Sequence, residues 1–244
     1  MLDQFLRQGF RGGFATDGFF AGLASGPTGL SLPAWLTHSW EALDAGVADG
    51  DPVTTQTCPI SGVVRTSTGT EKPTYRADYA GSGVAAYEYD GVNDRSVTTT
   101  NVDHSSGYTY TALVNFESAL NFRVLFDIYN GMTLYGSGSN TLVYSDGTTS
   151  TQTAIPTIGS WAIVTAMNDG EALRIWVNRV LMVETVGTFD MPAANTIQFG
   201  SGRGPFAVRK MKGGVAADYF GPVSNGTQRT ALWDYINAKH GTAL

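Results

Sequence analysis

Residues 108–129 read YTYTALVNFESALNFRVLFDIY and run straight into Asn130-Gly131. Aromatic and β-branched residues dominate both halves, and a short polar break separates them. This is strand composition rather than helix composition. Asn-Gly then supplies two residues that tolerate positive φ, which is what a tight hairpin requires. The stretch therefore predicts two long strands, Tyr108–Phe116 and 122–129, and the start of a third.

The same texture extends in both directions. Short apolar runs recur at 84–89, 132–135, 141–144, 161–167, 173–177, 180–185, 196–200 and 214–220. Turn signals separate them: Asp90-Gly91, Asp146-Gly147, Asn168-Asp169-Gly170 and Asn178-Arg179. Turns at intervals of roughly 8–12 residues predict an antiparallel β-sandwich rather than βαβ units. Only the C-terminus changes period. Over 227–240, Leu232, Tyr235, Ile236 and Lys239 fall at helical spacing, and Gly241 stops the run. This predicts one short helix covering an edge or mouth of the sandwich.

The first 34 residues differ. Phe5, Phe10, Phe14, Phe19 and Phe20 alternate with glycines that forbid a stable helix after Gly9. Such a segment has aromatics but no means of burying them alone, so these five phenylalanines are read as partner-docking residues. The organisation is an N-terminal Phe/Gly-rich docking arm, 1–34, and a β-sandwich domain, 35–244.

Composition bounds the function. The chain has 244 residues, a formal net charge of −6 and no basic run, which argues against a nucleic-acid partner. No stretch of about 18 apolar residues could span a membrane. Asp3, Arg7, Arg11 and Asp17 interrupt any signal-peptide pattern. Cys58 is the only cysteine, so no internal disulfide forms.

The ordered series of motifs resembles the concanavalin-like, laminin-G-like jelly-roll domains of phage virion and bacterial surface proteins. Residues 87–94 (YEYDGVND) resemble that family's F-D-G-V-D-D strand and turn. Trp161-Ala162-Ile163-Val164 with Asn168-Asp169-Gly170 resembles its W-x-x-V…D-G pair. Residues 173–180 (LRIWVNRV) resemble its L-x-x-Y-V-N-G hairpin, with Arg179 where glycine is usual. Residues 196–200 and the ending through 241 also correspond, so the resemblance spans about 35–241. It implies an all-β jelly roll. The Asp90-Gly91 turn is expected to return Val92 to the core, and strand alternation to make Trp161 and Trp176 core anchors.

Several chemistries are weighed on that frame. Retaining glycoside hydrolases of related fold need two carboxylates about 5 Å apart. Of the E-x-D-x-E run that would place them on one strand face, only Glu88-Tyr89-Asp90 appears, and Val92 fills the third slot, so no catalysis is expected. His38, His104 and His240 are scattered and form no zinc spacing. A Ser-His-Asp elbow of the G-x-S-x-G type is missing. The resemblance implies calcium as the one ion to consider, with Asp90, Asn93 and Asp94 as oxygen suppliers. For sugar binding, Tyr129, Tyr135, Asn140 and Tyr144 are the candidates. The leading expectation is a non-enzymatic virion structural protein, a capsid decoration or tail-associated component made in the host cytoplasm. It would dock other virion proteins or its own copies through the arm. The alternative is a carbohydrate-binding host-recognition module that takes surface glycans.

Overall fold

The computed structural model describes residues 30–117, 123–128, 132–137, 140–146, 148–189, 191, 193–203 and 210–244. The arm phenylalanines Phe5, Phe10, Phe14, Phe19 and Phe20 lie outside the described residues, as does Tyr129. In chain order the strands are β1 (His38–Glu41), β2 (Thr55–Thr57), β3 (Val64–Thr66), β4 (Thr74–Arg76), β5 (Ala86–Asp90) and β6 (Ser96–Thr98). Next come β7 (Tyr108–Phe116), β8 (Arg123–Ile128), β9 (Met132–Ser137), β10 (Thr141–Asp146) and β11 (Ser150–Ala154). The set closes with β12 (Trp161–Asn168), β13 (Ala172–Val177), β14 (Val180–Val186), β15 (Ile197–Phe199), β16 (Lys212–Gly221) and the helix α1 (Gly226–His240).

The strands form two sheets. The first runs β14-β13-β12-β7-β16-β5-β4, with β1 added to β16. The second runs β11-β10-β9-β8-β15-β6-β3-β2. Each described pairing is antiparallel, as in the β7–β12, β7–β16 and β8–β15 ladders. The all-β antiparallel sandwich predicted by the turn spacing is thus the observed architecture.

Alternation explains the layers. On β7, Tyr108, Tyr110, Ala112, Val114 and Phe116 enter the core between the sheets, where they meet Phe126, Leu134, Tyr144 and Phe199. Leu113 points the other way, into a second apolar cluster beneath α1. That cluster contains Ile163, Trp176, Ala217, Tyr219, Leu232, Trp233 and Ile236. The helix therefore covers the outer face of the first sheet and not an edge or mouth. Asn225 and Gln228 close its start as a reciprocal capping box, and Gly241 ends it in the left-handed region at φ 67°.

Two further expectations are corrected. Trp176 and Trp161 belong to the helix side, Trp176 buried and Trp161 partly so; neither sits between the sheets. Val92 is 72% exposed at the tip of its turn, because Asp90 folds the backbone outward there. One polar network crosses the core. Arg65 on β3 donates to Asp218 on β16 at 2.7 Å and to Gln56 at 2.8 Å, and Tyr110 donates to Asp218 at 2.6 Å. The Arg65 guanidinium lies 4.8 Å from the Tyr87 ring centroid and 4.9 Å from that of Phe199. Burial works against its charge, but Asp218 beside it outweighs burial and holds the guanidinium protonated.

Candidate ligand-binding face

The outer face of the second sheet carries polar groups in register. In β8, Phe126 and Ile128 fill the core, so Asp127 between them must point outward. Leu134 is inward on β9, which turns Thr133 and Tyr135 outward. Ile197 and Phe199 are inward on β15, which turns Gln198 outward. The ladders place Asp127 opposite Thr133 on one side and opposite Gln198 on the other. Ser145 on β10 continues the row beyond Thr133.

Arg203 reaches this row from the loop after β15. Gly200 makes the approach feasible: it sits at φ 76°, and a Cβ there would collide with the Tyr89 ring. The Arg203 amide donates to Asp127 Oδ2 at 3.0 Å, and Thr133 Oγ1 donates to the same oxygen at 3.1 Å. Asp127 Oδ1 is buried and has no hydrogen-bond partner. The Arg203 side chain donates to Gln198 Oε1 at 3.3 Å and to Thr196 Oγ1 at 2.8 Å. Gln198 Nε2 is spent on Ser201 and Gly202, and Lys210 Nζ donates to Ser201 Oγ at 2.9 Å.

Burial sets the electrostatics. It pushes the Asp127 carboxyl up to about 6, against the two donors that favour its ionised form. It lowers Arg203, and the neighbouring Arg95 charge acts in the same direction while Asp127 opposes. Lys210 is lowered by burial and again by Arg95. A carboxylate with a spare acceptor thus lies beside a half-buried guanidinium whose side-chain acceptors are neutral. The guanidinium can take an acceptor or anion from solvent, whereas Asp127, 1% exposed, acts by fixing the Arg203 backbone.

A concavity opens elsewhere, at one end of the sandwich. It measures about 250 Å³ and is lined by Thr37, Val102, Asp103, His104, Gly107 and Phe220, among others. Burial first, and His38 second, lower the His104 imidazole to about 4, so it is neutral at physiological pH. The Asp103 carboxylate is engaged by the Ser105 amide and hydroxyl.

The sequence candidates distribute unevenly. Tyr135 is half-buried on the same outer face as Thr133 and Asp127. Asn140 is exposed in the turn after β9 at φ 57°. Tyr144 is a correction: its side chain is fully buried between the sheets and its hydroxyl donates to Tyr108 at 2.6 Å, so it presents nothing to a sugar. Asp90, Asn93 and Asp94 do share one turn. Asp90 Oδ1 accepts from the Val92 and Asn93 amides, Asp94 Oδ2 accepts from the Asp90 amide, and Asn93 donates to Thr70. Among the described residues, no group of three or more His, Cys, Asp or Glu side chains gathers as a metal site. Glu88 is held by Arg76 at 2.6 Å. Cys58 is buried, its sulfur accepting from the Ser39 and Ser61 amides. No described helix is long and apolar enough to cross a membrane. Sequence reasoning missed Asp127, Thr133, Gln198 and Arg203. A signal for the first existed, since Asp127 is the lone acid in an apolar strand.

No family model and no curated protein matches the chain by sequence. Solved structures do. Sialidase from Trypanosoma rangeli matches with a TM-score of 0.61 at 11% identity, over 86% of this chain and 34% of its own. The receptor-binding domain of botulinum neurotoxin type G matches with a TM-score of 0.52 at 11% identity, over 78% of this chain and 51% of its own. The chain therefore spans about a third of the sialidase's length. At these identities the likeness establishes the fold alone, a β-sandwich.

Proposed function

We propose that this protein is a non-catalytic carbohydrate-recognition module that binds its ligand on the outer face of the second sheet. The observation that carries the reading is the half-buried pair Tyr135 and Arg203 on that face, held beside the buried polar row Asp127, Thr133 and Gln198. Sugar hydroxyls are donors and acceptors at fixed spacing. Planar polar groups fixed on rigid strands meet them with little loss of side-chain entropy. A half-buried tyrosine on the same face adds apolar contact. The reading without catalysis is supported by Glu88 and Asp90, the carboxylate pair on β5: one is tied to Arg76 and the other to its own turn.

A glycan array tests this. The intact protein should bind a subset of glycans, and Asp127→Asn, which removes the charged acceptor that anchors the Arg203 backbone amide, should weaken that binding at least about tenfold. Binding that ignores Asp127→Asn, or no glycan bound by the folded protein, would overturn the reading.

A second reading is a virion structural protein docking through residues 1–34 and through its own copies. It draws support from β14, an edge strand exposing Val180, Leu181, Met182 and Val186. Deleting residues 1–34 should then abolish incorporation into particles without affecting glycan binding. Unchanged incorporation would reject this second reading.

A further inference from the structure

We propose that two copies of this chain pair edge to edge through β14, joining their first sheets into one continuous antiparallel sheet. The contact supplies the self-association of the virion reading but needs neither residues 1–34 nor a particle. An edge strand leaves a row of amides and carbonyls unpaired, and proteins blunt such rows with short strands, charges or proline. Among the described strands, the two sheet paths end at β14 and β4, and at β11 and β2. β2 and β4 are three residues long, and β11 carries Ser150, Thr151, Gln152 and Thr153. β1, set beside β16 off the first path, is buried throughout. β14 is seven residues long and holds neither lysine nor proline. It exposes Val180, Leu181, Met182 and Val186, the last by 76%. Its one charged side chain, Glu184, is tied to Arg174 on β13. Among the described edges, β14 alone is long, apolar and unblunted.

The ladder fixes which residues can meet. Ala172 lies opposite Val186, and the next residue, Gly187, donates to Glu171. Hydrogen-bonded and non-hydrogen-bonded pairs alternate, so Val186 and Glu184 point their amides and carbonyls away from β13. The register shift between Ile175 and Trp176 makes Met182 the extra residue and leaves 183–186 as the regular stretch. Two such edges meet antiparallel about a two-fold axis. An axis at Glu184 would oppose two carboxylates. An axis at Thr185 sets each Glu184 against the partner's Val186, and these two residues exchange their free amides and carbonyls. The edge therefore complements itself with no like charges opposed, which is what selects a second copy as its occupant. Hydroxyl-rich β11 forms the polar rim, with Thr185 donating to Thr151 at 2.9 Å. The axis stands perpendicular to the sheets, so both candidate glycan faces turn the same way.

Sedimentation velocity of the full chain over a concentration series reaching about 1 mM tests this. A contact this small should give a dimer with a Kd of about 1–100 μM. Val186→Glu sets a second carboxylate against the partner's Glu184 and should weaken the dimer at least about tenfold. Val186→Lys sets an ammonium there instead and should keep the dimer. Val186 is exposed, so neither change reaches the core, and thermal melting of each variant checks that the fold is intact. A monomer throughout the series would overturn the inference. So would a dimer indifferent to Val186→Glu, or a Val186→Lys variant as weakly paired as Val186→Glu. The contact involves no glycan, so its failure leaves the carbohydrate reading standing. A dimer that binds no glycan would overturn that reading and leave the pairing.

Discussion

Asp127 carries an unusual proton balance. Its folded carboxyl titrates near 6, above the value of about 3.9 in an unfolded chain, so the native state is favoured while the group is protonated. Stability from this source is present at low pH and is lost as pH rises through about 6. His104 and His240 act oppositely. Burial lowers both to about 4, so the unfolded chain binds more protons between about 4 and 6.5 and stability rises with pH there. Each of the three contributes roughly 3 kcal/mol, so Asp127 offsets one histidine across the same window. Asp127→Asn should therefore raise the melting temperature at pH 7 and steepen its rise between pH 4 and 6.5, even as glycan binding falls. Unaltered pH dependence in a melting series would refute this. Arg179 gives a second residue-scale case. It occupies φ 72°, a conformation suited to glycine, because the two-residue hairpin between β13 and β14 needs positive φ at both Asn178 and Arg179; its side chain donates to Asp234 on α1 and to the Leu244 carbonyl. Arg179→Gly should relieve backbone strain of about 1 kcal/mol while losing exposed contacts of similar size. Chemical denaturation should show a net change below about 1 kcal/mol.

At the scale of elements, legibility followed length and sidedness. The long strands β7, β12, β13 and β16 could be read directly. The three-residue strands β2, β3, β4 and β6 are too short to display a period, and Thr-rich β11 reads as loop. Facing was lost where both sides are buried. Every residue of β7 is buried, so composition cannot say which side meets the other sheet and which meets α1. This is why Trp161 and Trp176 were expected between the sheets. A bulge on β16 between Val215 and Ala217 also reverses the alternation, sending Asp218 inward, and nothing in the sequence announces it. The candidate face was hidden for a related reason: Gln198 and Arg203 are distant in sequence from Asp127, and only strand register unites them. The helix, by contrast, was legible in length and cap but not in seat. Its Ile236 is fully buried against the sheet, Tyr235 donates to Glu41 at 2.9 Å, and Lys239 pairs with the same carboxylate at 3.0 Å. Ile236→Ala should cost about 3 kcal/mol, roughly 10 °C in Tm, and leave glycan binding unchanged, since α1 and the candidate face lie on opposite sides of the sandwich. A parallel loss of binding in the folded variant would mean the two faces are coupled.

Across the whole molecule, the two sheets are joined by aromatic packing and by one ion pair sealed within it. The Arg65 and Asp218 side chains are 3% and 2% exposed, and Gln56, Tyr110 and three aromatic rings complete their surroundings. Desolvating both charges costs several kcal/mol, which their attraction and hydrogen bonds repay only while both are present. Removing one partner leaves the other buried and uncompensated. Arg65→Met and Asp218→Leu should each cost about 3–5 kcal/mol, whereas the double substitution should cost clearly less than either, because it leaves no orphaned charge. The Tyr110 hydroxyl loses its acceptor with Asp218, so the double variant should still fall short of the native protein by about 1–3 kcal/mol. A double-mutant cycle by chemical denaturation reads these terms directly. Additive losses would show that the pair is not coupled. Because the single variants unfold at lower temperature, they should also lose glycan binding at temperatures where the double variant keeps it.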